Sequence, residues 1–176
     1  MLLRRTLLLS APALAIGAMG TSLSGCGFAL RQAPNFDFKT LYTNFSAGSS
    51  LGNQFKRSMA SGSDVRVITN PAQINEAEVL LDVLTDQRQK VVVGVSASGQ
   101  VREFQLRLLF KFRLRRQDGA VLTPDTELSQ RRDLSYNESQ ALAKEAEEAL
   151  LYRDMESDVV QQLLRRLATI RTANPV

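Results

Sequence analysis

VREFQLRLLFKFRLRR, residues Val101 to Arg116, is the stretch around which the rest of the chain is arranged. Phe104, Leu106, Leu108, Phe110, Phe112 and Leu114 fill its even positions and are all apolar. Glu103, Gln105, Arg107, Lys111, Arg113 and Arg115 fill odd positions, where Leu109 alone breaks the polar run. A period of two over that length marks a β-strand with one buried and one wet face. Its alternating part would run roughly 40 Å, well beyond the usual strand of about five or six residues. Such a strand needs a covering layer on one face and presents a row of cations on the other. The cations have two readings. They keep a long strand soluble and discourage edge pairing, or they form a surface for an anionic ligand.

Outward from this stretch, Glu78 to Val95 reads as a second long strand. Val79, Leu81 and Val83 lie on one side of it, against Glu78, Asp82 and Asp86, and it ends in Val91-Val92-Val93. Ser96-Ala97-Ser98-Gly99 turns it into the first strand, and Asp118-Gly119 supplies a hairpin turn at the other end. Glu127 to Leu134 returns as a further strand bearing Arg131 and Arg132, so the three form an antiparallel meander. Upstream, Phe36 to Tyr42 is a short strand and Ser49 or Ser50 can cap a helix. Leu51, Phe55 and Met59 make one apolar stripe on that helix, Gly62 ends it, and Val65 to Thr69 is the next strand, closed by Asn70-Pro71. Strand, helix, strand with short links predicts a right-handed βαβ unit with parallel strands.

Downstream, Ser135-Tyr136-Asn137-Glu138 fits an S-x-x-E capping box opening a helix to about Ile170. Leu142, Ala146, Ala149, Tyr152, Met155, Val159, Leu163, Leu167 and Ile170 recur at threes and fours, as the layer covering the long strands should. Glu145, Glu147 and Glu148 come early and Arg165, Arg166 and Arg171 late, as the helix dipole favours. At roughly 50 Å this helix matches the long strands. The expected fold class is α/β (α+β). It is a two-layer sandwich in which a mixed sheet with a long antiparallel hairpin is covered by one short and one long C-terminal helix. The expected domain runs from 36 to 171, with 172–176 frayed.

A chain of 176 residues suits one domain, and 44% hydrophobic content is enough for a core. The formal charge is +4, falling to +2 once Arg4 and Arg5 are set aside. Nucleic-acid binders are more lopsided. Charge is nonetheless segregated: eight Lys/Arg against four Asp/Glu from Arg102 to Arg132, then two against seven from Glu138 to Asp158. No histidine and a single cysteine remove Ser/His/Asp and Cys/His nucleophile systems and most zinc and copper sites. No carboxylate pair stands out from the helical acidic run. The sequence argues against an enzyme and against a bound cofactor.

The N-terminus reads as an address. Arg4 and Arg5 precede an apolar run from Leu7 to Met19, and Leu23-Ser24-Gly25-Cys26 follows. A basic n-region, an h-region of about a dozen residues and small residues at the break describe a signal peptide, here 1–25. The cysteine directly after L-S-G matches the bacterial lipobox, in which the thiol takes a diacylglycerol and the new N-terminus is acylated. Cys26 is therefore the expected lipid anchor, and 26–35, with Pro34, its tether. Several buried acyl chains anchor firmly, each CH₂ contributing about 0.8 kcal/mol. Gly27 stands where an aspartate would signal inner-membrane retention. The expected location is the cell outer membrane, on its periplasmic side, away from nucleic acid.

The mature sequence resembles a known family. Cys26-Gly27-Phe28-Ala29-Leu30-Arg31 is similar to the C-G-[FW]-x-L-R start of the lipopolysaccharide-assembly lipoprotein LptE family. Ser98-Gly99-Gln100 before Glu103-Phe104-Gln105 fits the same family, as do Ala141-Leu142-Ala143-Lys144-Glu145 and Leu163-Leu164-Arg165-Arg166-Leu167. The resemblance implies two helices on a mixed sheet, and a protein that assists assembly of the outer-membrane β-barrel LptD, sits in it as a plug, and binds lipopolysaccharide. Family members carry basic residues near the long hairpin turn and early in the last helix that are implicated in that binding. Lys144 matches the second place; the first holds Ala97 or Ser98, with Arg102 as the nearby substitute. The lipopolysaccharide-binding candidates are thus Arg102, Arg107, Lys111, Arg131, Arg132 and Lys144. Two other roles stay open. Lys144 can pair with Glu148 on a solvated helix face, and Arg107, Lys111 and Arg113 can line polar barrel walls. The rival function is a lipid-anchored scaffold of another envelope complex with no glycolipid ligand.

Overall fold

A computed structural model describes residues 35–171. The expected signal segment, Cys26, nearly all of the expected tether and the expected frayed residues 172–176 lie outside the described residues. Five strands form one mixed sheet: β1 (Thr40–Thr43), β2 (Arg66–Ile68), β3 (Val79–Val95), β4 (Val101–Arg116) and β5 (Val121–Ser135). Their order across the sheet is β2-β1-β3-β4-β5. β1 runs parallel to both β2 and β3, while β3, β4 and β5 are antiparallel. Helix α1 (Ser50–Gly62) connects β1 to β2, and α2 (Ala141–Thr169) follows β5. The α+β two-layer architecture and the long hairpin are as the sequence predicts.

Alternation in β4 is realised in full. Leu106, Leu108, Phe110, Phe112 and Leu114 are each at most 1% exposed and pack with Leu51, Phe55 and Met59 of α1 and with Met155, Val159, Leu163 and Leu167 of α2. Phe110 stacks between Phe45 (5.6 Å between ring centroids) and Phe112 (5.4 Å). Ser49 caps α1, its hydroxyl accepting the Gly52 N–H at 2.8 Å. Gly52 is required by a close approach: a Cβ there would sit 2.7 Å from the Phe45 ring. A smaller cluster of Tyr42, Ile68, Ala77 and Leu80 is closed by Ile74 in the 3-10 turn Pro71–Glu76.

Three boundaries differ from expectation. β1 begins at Thr40 rather than Phe36. Phe36 and Phe38 are buried, but they precede the ladder and pack ring against ring at 5.5 Å. β5 begins at Val121, six residues before Glu127. Gly119, at φ 89°, makes the turn tight enough for Arg116 N–H to meet the Ala120 carbonyl at 2.8 Å, and pairing resumes at once. Pro124 hides this in the sequence, and an edge strand tolerates it. The third correction is the helix cap. Ser135 is the last residue of β5, paired with Glu103, and cannot cap. Asn137 does so instead, its side chain accepting the Ser139 N–H at 3.1 Å ahead of a short 3-10 turn.

The apolar stripe of α2 also needs correction. From Tyr152 onward it is buried, but Leu142 is 84% exposed and Ala146 and Ala149 face solvent. Ala146, Ala149, Tyr152 and Met155 step by threes, each about 60° short of a full turn at about 100° per residue, so the stripe has swung well away from the sheet by Leu142. Across the first turns Lys144 and Glu148, two residues out of phase with Leu142 and Ala146, take the sheet side instead; their side chains are 15% and 22% exposed. Polar groups continue the contact where apolar ones stop. Glu156, 3% exposed, accepts the Ser50 hydroxyl at 2.5 Å and Arg88 Nε at 3.1 Å, and the Arg88 guanidinium lies 4.9 Å from the Tyr152 ring centre. Tyr152 in turn donates to the Gln89 carbonyl at 2.8 Å. Burial, with Glu148 nearby, pushes its phenol pKa up.

Candidate ligand surfaces

Cross-strand register decides which cations share a surface. Arg107 lies between Gln89 of β3 and Arg131 of β5, and Lys111 between Thr85 and Glu127, all on the face of the sheet away from α2. Further along this face the charges are neutralised. Arg113 Nε is 2.6 Å and Lys111 Nζ 3.8 Å from the Asp125 carboxylate, while Arg115 grips Asp82 through two nitrogens at 2.7 and 3.3 Å. The hydrogen bond from Arg113 holds the Asp125 carboxyl below the usual range, and the same contact raises Arg113. Arg107 and Arg131 differ. Among the described residues Arg107 Nε donates only to the neutral Gln105 amide, at 2.8 Å. Among the described residues the Arg131 guanidinium has no partner. Two guanidinium side chains directly opposite each other, with no acid between, leave an unmet demand for an anion.

Arg132 projects from the opposite face. It pairs in register with buried Leu106 and donates to Asp158 of α2 at 2.9 Å. Lys144 is tied down as well, 2.9 Å from Glu147 and 3.1 Å from the Ser135 hydroxyl. The alternative pairing of Lys144 with Glu148 is not made. Lys90 takes Glu148 at 2.6 Å and sits 4.3 Å above the Phe104 ring.

Arg102 and Lys144 are each tied to the chain where β5 ends. Tyr136 N–H donates to the Arg102 carbonyl at 2.8 Å, and Ser135, which holds Lys144, pairs with the neighbouring Glu103. Beside them the hairpin exposes Val92 (48%), Val93 (47%) and Val95 (61%), with Val95 opposite Val101. The sequence reading missed these valines. An uninterrupted run of β-branched residues carries no alternation to separate a buried stretch from an exposed one. The six candidates therefore divide: Arg102 and Lys144 at an apolar hairpin end, Arg107, Lys111 and Arg131 on the open face, and Arg132 on the helix-covered side.

Two surface cavities, of about 530 and 400 Å³, contain none of these cations. No cluster of three or more His, Cys, Asp or Glu suited to a metal occurs among the described residues. No described helix is long and apolar enough to cross a membrane.

A short βαβ start, a long hairpin and one long closing helix define a class of bacterial lipoprotein domains. The solution structure of lipoprotein B from Nitrosomonas europaea is 33% identical, with a TM-score of 0.67 over 81% of this chain and 90% of that one. The minor lipoprotein from Acinetobacter baumannii is 23% identical (TM-score 0.60, 80% of this chain and 100% of that one) and shares the fold. So does rare lipoprotein B from Shewanella oneidensis, at 20% identity and a TM-score of 0.60 over 74% and 94%. The family model for lipopolysaccharide assembly, LptE, matches residues 34–167, and the chain belongs to that family.

Proposed function

We propose that this protein is an outer-membrane lipoprotein, anchored through S-diacylglycerol and N-acyl groups on Cys26 at the periplasmic side. It assists assembly of the β-barrel LptD, plugs it, and binds lipopolysaccharide on its way to the outer leaflet. It is no enzyme and uses no cofactor. The observation that carries the ligand half of this reading is the hairpin end, where Arg102 and Lys144 stand beside exposed Val92, Val93 and Val95. A phosphorylated glycolipid presents anions next to acyl chains, and this end matches both parts. Charge-assisted contacts of that kind contribute about 1.5–3 kcal/mol each. Of the other candidates, Arg107, Arg131 and Lys111 lie on the open face of the sheet, where Arg107 and Arg131 are left unneutralised, while Arg132 on the helix-covered face is held by Asp158.

The test uses Arg102→Gln with Lys144→Gln, which removes both charges without introducing repulsion against Glu103 or Glu147. Binding of purified protein to lipopolysaccharide should weaken about tenfold or more, since 1.4 kcal/mol is tenfold. Circular dichroism checks the fold. Unchanged binding by a folded double variant removes the ligand site. In parallel, gentle-detergent purification of the lipidated protein should bring one large barrel protein with it. Recovery of an envelope complex without a barrel would favour the scaffold role instead.

A further inference from the structure

Lys111, Arg113 and Arg115 each reach a carboxylate on the open face of the sheet, at 3.8, 2.6 and 2.7 Å. Arg107 and Arg131 reach none among the described residues, although they stand directly opposite each other and are exposed. The kind of pair they form brings them close. Tyr136 N–H donates to the Arg102 carbonyl, so Arg102 and Tyr136 are a hydrogen-bonded pair of the β4–β5 ladder. The register runs unbroken from there, which makes Arg107 and Arg131 a non-hydrogen-bonded pair, with Cα atoms about 4.5 Å apart. Like charges set opposite in this way cost stability. Solubility accounts for cations on this face, but not for two of them in the closest kind of cross-strand pair.

One of the two is also held in place. Asp133 Oδ1 accepts the Gln105 amide N–H at 3.0 Å, and the Gln105 amide oxygen accepts Arg107 Nε at 2.8 Å. This relay spends the Asp133 carboxylate on a neutral amide. It fixes the Arg107 guanidinium by its inner nitrogen and leaves both terminal amino groups to donate elsewhere. Gln89 flanks Arg107 on β3, and the next row of the sheet is Gln87, Leu109 and Ser129. Amides and hydroxyls suit sugar hydroxyls, whereas the centre of a protein interface is richer in aromatic and apolar groups.

We propose that Arg107 and Arg131 jointly clamp one phosphate or carboxylate on the sugar chain of the glycolipid whose head group binds at the hairpin end. This rests on the lipopolysaccharide reading above and adds a second, separate contact to it. Arg107 lies roughly 17 Å down β4 from Arg102, at about 3.4 Å per residue, and further from the exposed valines. A ligand with its acyl chains on Val92, Val93 and Val95 therefore brings sugar rather than lipid to this position. Two guanidinium groups around one anion exchange mutual repulsion for charge-assisted contacts.

The test compares two probes on the purified full-length protein. One is lipid A, with acyl chains and head-group phosphates but no further sugars; the other is lipopolysaccharide with phosphorylated inner sugars. Wild type should bind the second about tenfold more tightly than the first. Arg107→Gln with Arg131→Gln should lose that advantage, whereas Arg102→Gln with Lys144→Gln should weaken both probes and keep it. The released oligosaccharide, free of acyl chains, should compete for wild type but not for the Arg107→Gln/Arg131→Gln variant; competition that survives phosphatase treatment assigns the anion as a carboxylate. Because the pair repels itself, Arg131→Gln alone should leave the urea midpoint unchanged or raise it. A preference for lipopolysaccharide over lipid A that persists in the folded Arg107→Gln/Arg131→Gln variant overturns the proposal, leaves the hairpin-end reading standing, and turns the pair toward an acidic group of a protein partner. Equal binding of both probes by wild type overturns it as well, and a loss of stability in Arg131→Gln makes the pair structural. Failure of wild type to bind either probe sinks the lipopolysaccharide reading along with it.

Discussion

The ion pair between Arg88 and Glu156 allows a sharp forecast because its partners are unequally buried. The Glu156 side chain is 4% exposed and that of Arg88 43%. Removing either partner breaks the same contact, yet what remains differs. In Glu156→Ala the leftover guanidinium reaches water and keeps its place over Tyr152, so the loss should be about 1–2 kcal/mol. In Arg88→Ala a carboxylate is stranded beneath α1, with only the Ser50 hydroxyl to hold it. An uncompensated buried charge costs about 3–5 kcal/mol unless the group neutralises. Arg88→Ala should therefore be the worse substitution.

Urea melts of both variants and of wild type at neutral pH rank the two losses. If Glu156→Ala is the more damaging change, the burial asymmetry does not govern this contact.

Three further outcomes are expected. Phe110→Ala should cost about 3–5 kcal/mol in urea melts, whereas Leu142→Ser, at a position 84% exposed, should stay within about 0.5 kcal/mol of wild type; the reverse ranking would mean the facing is misassigned. Gly52→Ala should destabilise although alanine favours helices, because the new methyl meets the Phe45 ring at its rigid base, and Phe45→Ala in the same chain should relieve much of the penalty. Cys26→Ser should abolish lipidation, and an unmodified Cys26 in the N-terminal peptide of wild type, read by mass spectrometry, would remove the anchor.

Strong, short-range signals were legible in the sequence. Strict alternation from Phe104 to Leu114 assigned the buried face of β4 residue by residue, and the 1, 5, 9 spacing of Leu51, Phe55 and Met59 did the same for α1. Signals that depend on a partner were not. Ser135 matches a cap motif, but the ladder to Glu103 claims its backbone first. Leu142 has helical spacing, yet the phase of the stripe drifts away from the sheet before it reaches that turn. The candidate cations suffered most, because which face a strand residue takes is visible locally, whereas which acid neutralises it is not. Arg113, Arg115 and Arg132 find Asp125, Asp82 and Asp158 across strand and helix. No spacing rule separates them from Arg107 and Arg131, which find none.

The division of labour within the sheet follows from the same asymmetry. Toward β1, the two layers are held by aromatic rings and aliphatic chains at native packing. Toward the hairpin turn, apolar burial gives way to single polar ties: Arg88 to Glu156, Lys90 to Glu148, Lys144 to Ser135. The ties of Lys90 and Lys144 are partly screened by solvent and worth less than a buried leucine, whereas Arg88 serves a carboxylate that is buried. That end has exposed valines that find no cover within the domain. A chain optimised only for stability would run apolar residues along the first turns of α2 and bury those valines. Keeping Lys144 and Glu148 on the sheet side, and Leu142 on the water side, forgoes that burial. The departure from local rules falls where the ligand surface is proposed, which is where strain or exposure is expected to be retained for function.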